Sequence, residues 1–148
     1  MNTDVSQSAS SPSHDEAIQA ALAVMDAHLT ALNKRDSDGL AATLHFPHYR
    51  LSEGKVKVWA DKTDYFSDFR KRAGSDWGYT AWEELTTLCA SSDKVHLDVL
   101  VARFRQDDTP LTRFRSLWVI SRVNGLWAAQ FRSSFASDSE FLRTEPSQ

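Results

Sequence analysis

The chain predicts an α+β domain with its helices first and a long antiparallel meander last. Three observations carry this. A long amphipathic helical run opens the domain near Ser13. Four strand-like runs close it, separated only by short turns. Between the last two stands Asn124-Gly125, the strongest short-range hairpin signal in the chain, because both residues tolerate positive φ. Helices followed by consecutive hairpins imply a sheet that curls around the helices and leaves a pocket between the layers.

The elements follow in order. Met1 to Ser13 is rich in Ser, Asn, Gln and Thr and buries too little apolar surface to offset ordering entropy, so a loose tail is expected there. Ser13 and Glu16 form a capping-box pattern. Ile18, Leu22, Met25, Leu29 and Leu32 then recur at spacings of four and three, one apolar stripe on a helix of about five turns that ends near Lys34. Asp36 caps a short second helix running through Ala41 to Leu44, which Pro47 stops. Tyr49 to Leu51 and Lys55 to Trp59 read as a strand pair around Ser52-Glu53-Gly54. Asp61 caps a third helix carrying Tyr65, Phe66 and Phe69 and ending at Gly74. Tyr79 to Ala90, Lys94 to Arg105, Leu111 to Val123 and Leu126 to Phe135 are the long strands, the first bent near Trp82. The domain is expected to span 14–136, with a second tail over 137–148 in which Phe141 and Leu142 are the docking candidates.

The 148 residues suffice for one domain with a real core. A net charge of −3 with no long Lys/Arg run lacks the electrostatic footprint of a nucleic-acid binder. The single Cys, Cys89, forms neither an internal disulfide nor a CxxC site, so a reducing, cytoplasmic setting is expected. No secretory signal pattern opens the chain, and no apolar stretch approaches the length of a membrane span. There is no GxSxG elbow, no phosphate-binding glycine loop and no GxGxxG, which lowers the case for hydrolase, nucleotide and dinucleotide chemistry. No cofactor is implied.

Two motifs carry a family resemblance. Ala31-Leu32-Asn33-Lys34-Arg35-Asp36-Ser37-Asp38-Gly39-Leu40 resembles the helix-one exit of the nuclear transport factor 2-like superfamily, and Arg122-Val123-Asn124-Gly125-Leu126-Trp127 resembles the hairpin that closes many members. The resemblance implies a cone-shaped half-barrel: a strongly curved, mostly antiparallel sheet with three helices closing a pocket. It also implies a homodimer paired through the outer sheet face. The superfamily holds isomerases, dehydratases, cyclases, association domains and transport factors, so the fold alone names no reaction. The ketosteroid isomerase branch needs a carboxylate base, a Tyr donor late in helix one and a second acid on a late strand. Aligned on Ala31-Leu32-Asn33, those positions fall on or near Ser52, His28 and Trp118, which removes the isomerase acid–base set.

The remaining candidates carry two readings each. His28 reads as a hydrogen-bonded interior histidine or as a catalytic general base. His45 and His48 flank Phe46-Pro47; zinc wants three or four ligands and these two have no supporting pair, so no metal site is expected, and His48 is a candidate for the cavity entrance. Trp59, Trp82 and Trp118 serve a core or an aromatic ligand wall equally well. Arg103 shares a strand face with Val95, Leu97, Val99 and Val101, where it could grip a ligand carboxylate. The last hairpin holds a conflict. With a two-residue turn, Trp118, Ile120, Trp127, Ala129 and Phe131 share one face, whereas alignment to the isomerases turns Gln130, Arg132 and Ser134 inward. A period-two register permits one answer unless a bulge intervenes.

The sequence thus predicts a small-molecule pocket protein taking an apolar or acidic ligand, with His48, Trp59, Arg103, Trp118 and Arg132 as ligand contacts. One alternative is a cofactor-independent isomerase, dehydratase or cyclase acting through His28. Another is a non-catalytic dimeric association module.

Overall fold

The computed structural model describes residues 13–135. The expected tails over 1–13 and 137–148, with Phe141 and Leu142, lie outside those residues apart from Ser13.

Helix α1 spans His14–Asn33, and its start is local chemistry. Ser13 Oγ accepts from the Glu16 amide at 3.1 Å while Glu16 Oε1 accepts from the Ser13 amide at 2.7 Å, satisfying two donors that a helix start leaves open. The buried stripe is Ala17, Ala21, Val24, Met25, His28, Ala31 and Leu32. It is rotated from the expected one: Ile18, Leu22 and Leu29 sit half-buried at its margin. Small alanines at its centre let the helix approach the sheet closely, and His28 lies within the stripe.

Helix α2, Ser37–Ala41, is capped by Asp36, whose Oδ1 accepts from the Gly39 amide at 3.0 Å. It stops before the expected Leu44, because strand β1 runs over Leu44–Ser52 with Pro47 inside it. Proline is tolerated there: its carbonyl accepts from the Gln130 side chain at 2.7 Å, where the pairing with the neighbouring strand shifts register. Strand β2, Lys55–Trp59, returns antiparallel across a turn at Glu53 and Gly54, both at positive φ. Helix α3 covers Tyr65–Ala73. Its N-cap is Asp64 at φ 69°, not Asp61, which instead accepts from the Thr63 amide at 2.9 Å. Strands β3 (Tyr79–Ala90), β4 (Lys94–Phe104), β5 (Pro110–Val123) and β6 (Leu126–Ser134) complete the domain.

The six strands form one sheet in the order β2-β1-β6-β5-β4-β3. The pairs are antiparallel except β1 with β6, which is parallel. The expected cone-shaped half-barrel is not what forms. The sheet is mixed, open and not strongly curled. Closure requires the two edge strands to hydrogen-bond to each other, and here β2 and β3 end the sheet at opposite sides. The register shifts within β3–β4, β5–β6 and β1–β6 re-aim side chains locally instead of rolling the sheet shut.

The core fills the space between α1, α3 and one sheet face. Val95, Leu97, Val99 and Val101 of β4, with Trp118 and Ile120 of β5, meet Ala21, Met25 and Leu32 of α1. Two clamps fix α1 against β3. The Asn33 amide side chain donates to Thr80 O at 2.9 Å and accepts from Thr80 N at 2.8 Å. Arg35 donates to Gly78 O at 2.7 Å while its guanidinium stacks on Trp77 at 4.1 Å. Gly78 itself touches the β4 end so closely that any side-chain carbon would collide with the backbone of Arg105 and Gln106.

Candidate functional site

The β5–β6 conflict resolves through a bulge. Ile120 pairs with Ala129, but Val119 pairs with Phe131, so Gln130 is the extra residue on β6. Beyond it the faces exchange. Trp118 stands opposite Arg132 and Ser116 opposite Ser134, all on the inner face, while Phe131 turns away. Both incompatible patterns in the sequence are therefore obeyed, one on each side of Gln130. Arg132 is only 6% exposed.

Register then assembles the site. Parallel pairing sets Arg50 of β1 beside Arg132 of β6, which faces Trp118 of β5. Arg103 reaches the same interior from β4, sandwiched by the rings of Phe69 at 5.2 Å and Phe114 at 4.8 Å. Arg72 arrives from α3, three residues after Phe69 on the same helical face. Arg132 lies over Trp118 at 5.2 Å and Tyr65 at 5.5 Å.

Two connected spaces surround these groups. The inner one, between α1 and the sheet, is lined by His28, Tyr65, Trp82, Ser116, Trp118 and Arg132 among others, and holds only about 30 Å³ of free volume. That is room for about one water, not for a ligand body. The outer one is a cleft of about 540 Å³ bounded by β1, β2, the end of α3, Phe114 and Phe135. Arg50, Arg103 and Phe114 line both and so form the throat between them. The cleft sets six cationic side chains (Arg50, Lys55, Lys57, Lys71, Arg72, Arg103) against two carboxylates, Glu53 and Asp68.

None of Arg50, Arg72, Arg103 and Arg132 forms a salt bridge among the described residues, whose ion pairs lie elsewhere or join Lys57 to Asp68. The Nε atoms of Arg72 and Arg103 and the indole Nε1 of Trp118 are buried without a hydrogen-bond partner. Burial, and after it the nearby Arg132 charge, lowers Arg50 and Arg103 to about 10 and Arg72 to about 9. All three stay protonated at neutral pH, at a cost that an anion would relieve.

His28 lies at 2% exposure. The Thr43 hydroxyl donates to Leu40 O at 2.7 Å, so its contact with His28 Nδ1 at 2.8 Å assigns Nδ1 as the donor and leaves Nε2 as the lone-pair acceptor. Burial, then Arg132 and His48, hold His28 well below its usual value. A neutral histidine so depressed is a poor general base near pH 7, where efficiency demands a pKa close to ambient. His48 is fully buried, donates from Nδ1 to Ala129 O at 3.0 Å, and is lowered to about 3 by burial and Arg132. It lines neither space, being covered by the rings of Trp59 and Tyr65.

The structure therefore brings His28, Arg103, Trp118 and Arg132 to the throat and inner space, Trp59 to the cleft wall, and leaves His48 behind that wall. Sequence reasoning missed Arg50 and Arg72. The signals were present: Arg50 alternates with His48 and Ser52 on the buried face of β1, and Arg72 follows Phe69 by three on α3. Among the described residues no group of three or more His, Cys, Asp or Glu could hold a metal ion, and no helix is long and apolar enough to cross a membrane.

No family model and no curated protein sequence matches the chain. Solved structures do. A nuclear transport factor 2-like protein with a cystatin-like fold from Novosphingobium aromaticivorans superposes with TM-score 0.67 at 14% identity, over 84% of this chain and 86% of that one. A nuclear transport factor 2-like protein of unknown function from Shewanella oneidensis gives 0.61 at 14%, over 80% and 98%. A ketosteroid isomerase-like protein from Erwinia carotovora atroseptica gives 0.57 at 16%, over 81% and 95%. At such identities the likeness establishes the fold and nothing about chemistry.

Proposed function

We propose that this chain of nuclear transport factor 2-like fold is a small-molecule binding protein whose ligand occupies the outer cleft, with the throat as its inner end. The cleft carries this reading. Its volume of about 540 Å³ falls within the range of ordinary ligand pockets, and its walls combine aromatic rings (Trp59, Phe114, Phe135) with polar atoms lacking protein partners. The nearly filled interior beside His28 does not offer that room. Trp59, Arg103 and the throat side of Arg132 are the proposed contacts. His28 and Trp118 close the inner end, and His48 supports Trp59 from behind.

Proton-transfer catalysis by His28 finds less support. Its Nε2 is an acceptor of low basicity, and no carboxylate stands at the positions the isomerase chemistry requires. Thermal-shift and tryptophan-fluorescence titrations against aromatic acids, ketones and terpenoids test the binding reading, since a ligand selective for the folded state raises its melting temperature. Absence of any hit across such a panel would remove it.

A homodimer is a second reading, favoured by one observation. Leu88, Val123 and Leu126 are exposed at 56%, 44% and 58% at one end of the sheet. Sedimentation equilibrium decides it: a monomer at micromolar concentration would dispose of the dimer.

A further inference from the structure

None of the four arginines forms a salt bridge among the described residues, and the cations of the cleft outnumber its carboxylates; that asymmetry names a ligand class. A protein of net charge −3 concentrates six cationic side chains around one cleft and adds Arg132 behind it. Burying unpaired guanidinium groups opposes folding, so a chain that does so gains from an anion arriving later. Two arginines on the neighbouring strand β5 are paired instead. Arg115 is held by Glu84 at 2.7 Å and Asp98 at 3.1 Å, and Arg113 by Glu83 at 2.8 Å. The throat arginines have no such partner among the described residues, although they are more enclosed than Arg35, Arg70 and Arg105, which also lack one but lie exposed.

We propose, resting on the cleft reading above, that the ligand is a small organic acid whose oxyanion head (carboxylate, sulfonate or phosphate) sits between Arg50 and Arg103 at the throat, with Arg72 reaching it from the cleft and Arg132 from the interior, and whose apolar body lies along Trp59 and Phe114. The guanidinium fork suits such a head, offering parallel N–H donors that match two oxygens. Phe69 and Phe114 hold the Arg103 plane in place, so its donors are organised before the ligand arrives. The Nε atoms of Arg72 and Arg103, buried and unpartnered, are donors that the head would satisfy. The field of the cleft also draws anions in against the overall charge of the chain.

The test uses two dyes with one body and different charge: 1-anilinonaphthalene-8-sulfonate and its neutral analogue N-phenyl-1-naphthylamine, titrated against the full chain at low and high salt. The sulfonate is expected to bind roughly ten- to hundredfold tighter, the range one charge-assisted pair supplies, with the preference shrinking as salt rises. Arg103→Met and, independently, Arg72→Gln are each expected to lower the ratio of sulfonate to neutral-dye affinity severalfold. Equal affinity of the two dyes for the wild-type chain would overturn the anion site yet keep the cleft reading. A preference that both variants leave intact would overturn it too. Binding of neither dye would remove both readings together.

Discussion

Replacing Arg103 by Met should make the ligand-free protein more stable. Arg103 is lowered from the ordinary arginine value to about 10, first by burial and then by the charges of Arg132 and Arg50. At about 1.4 kcal/mol per pKa unit, holding it charged opposes folding by roughly 3 kcal/mol. Methionine keeps most of the apolar contact with Phe69 and Phe114 but loses two cation–π contacts worth about 0.5–1 kcal/mol each. The balance is a gain of roughly 1–2 kcal/mol, which for a domain of this size raises Tm by about 3–8 °C. Circular-dichroism melts at pH 7.5 in low salt read it directly. Salt should narrow the gap between variant and wild type, because screening relieves the same repulsion. A drop in Tm would mean that Arg103 holds the fold together, and the reasoning from unpaired charge would be wrong.

Other outcomes follow from the same contacts. Acid should destabilise the protein ahead of its carboxylates. His28 and His48 are both depressed in the fold, so below about pH 6.5 the unfolded chain binds protons that the folded chain refuses; their stabilising effect is complete above that pH and is lost as pH falls. For His48, held at about 3, this amounts to roughly 2 kcal/mol at pH 5, and His28 acts in the same direction, readable as a urea midpoint that declines between pH 7 and pH 5; a flat midpoint would show that the two rings are not buried neutral. Gly78→Ala should cost about 2 kcal/mol or more, because the added carbon meets the backbone of Arg105 and Gln106, and an unchanged melt would refute that contact. Ser13→Ala removes one half of the capping box and should cost about 1 kcal/mol, with no effect on dye binding.

Much of the fold was legible where structure is local. The Ser13–Glu16 cap, the Asn124-Gly125 turn and the alternation of Val95, Leu97, Val99 and Val101 act within a few residues, so sequence displays them. The parallel pairing of β1 with β6 joins residues about eighty positions apart and leaves no local mark. Pro47 looked like a helix stop because the shift that accommodates it belongs to Gln130 on the other strand. The same residue hid the site. Period-two reasoning sees that Trp118 and Arg132 cannot share a face in a regular hairpin, but cannot tell where an extra residue restores them. The expectation of a strongly curved half-barrel rested on element order as well as resemblance, and sheet curvature depends on edges and long-range register that neither encodes. Arg50 and Arg72 escaped notice because an arginine on a strand or in a last helical turn ordinarily faces water.

The most direct test is a ¹H–¹⁵N spectrum of the tryptophan indoles during titration with 1-anilinonaphthalene-8-sulfonate. The Trp118 Nε1–H, buried without a partner at the inner end of the throat, and the Trp59 Nε1–H, bonded to Asp68 at 2.8 Å on the cleft wall, should move together and saturate with one dissociation constant. Trp127, which lines neither space, should stay still. Movement of Trp127 alone, with Trp59 and Trp118 unperturbed at saturating dye, would place the ligand elsewhere and contradict the account.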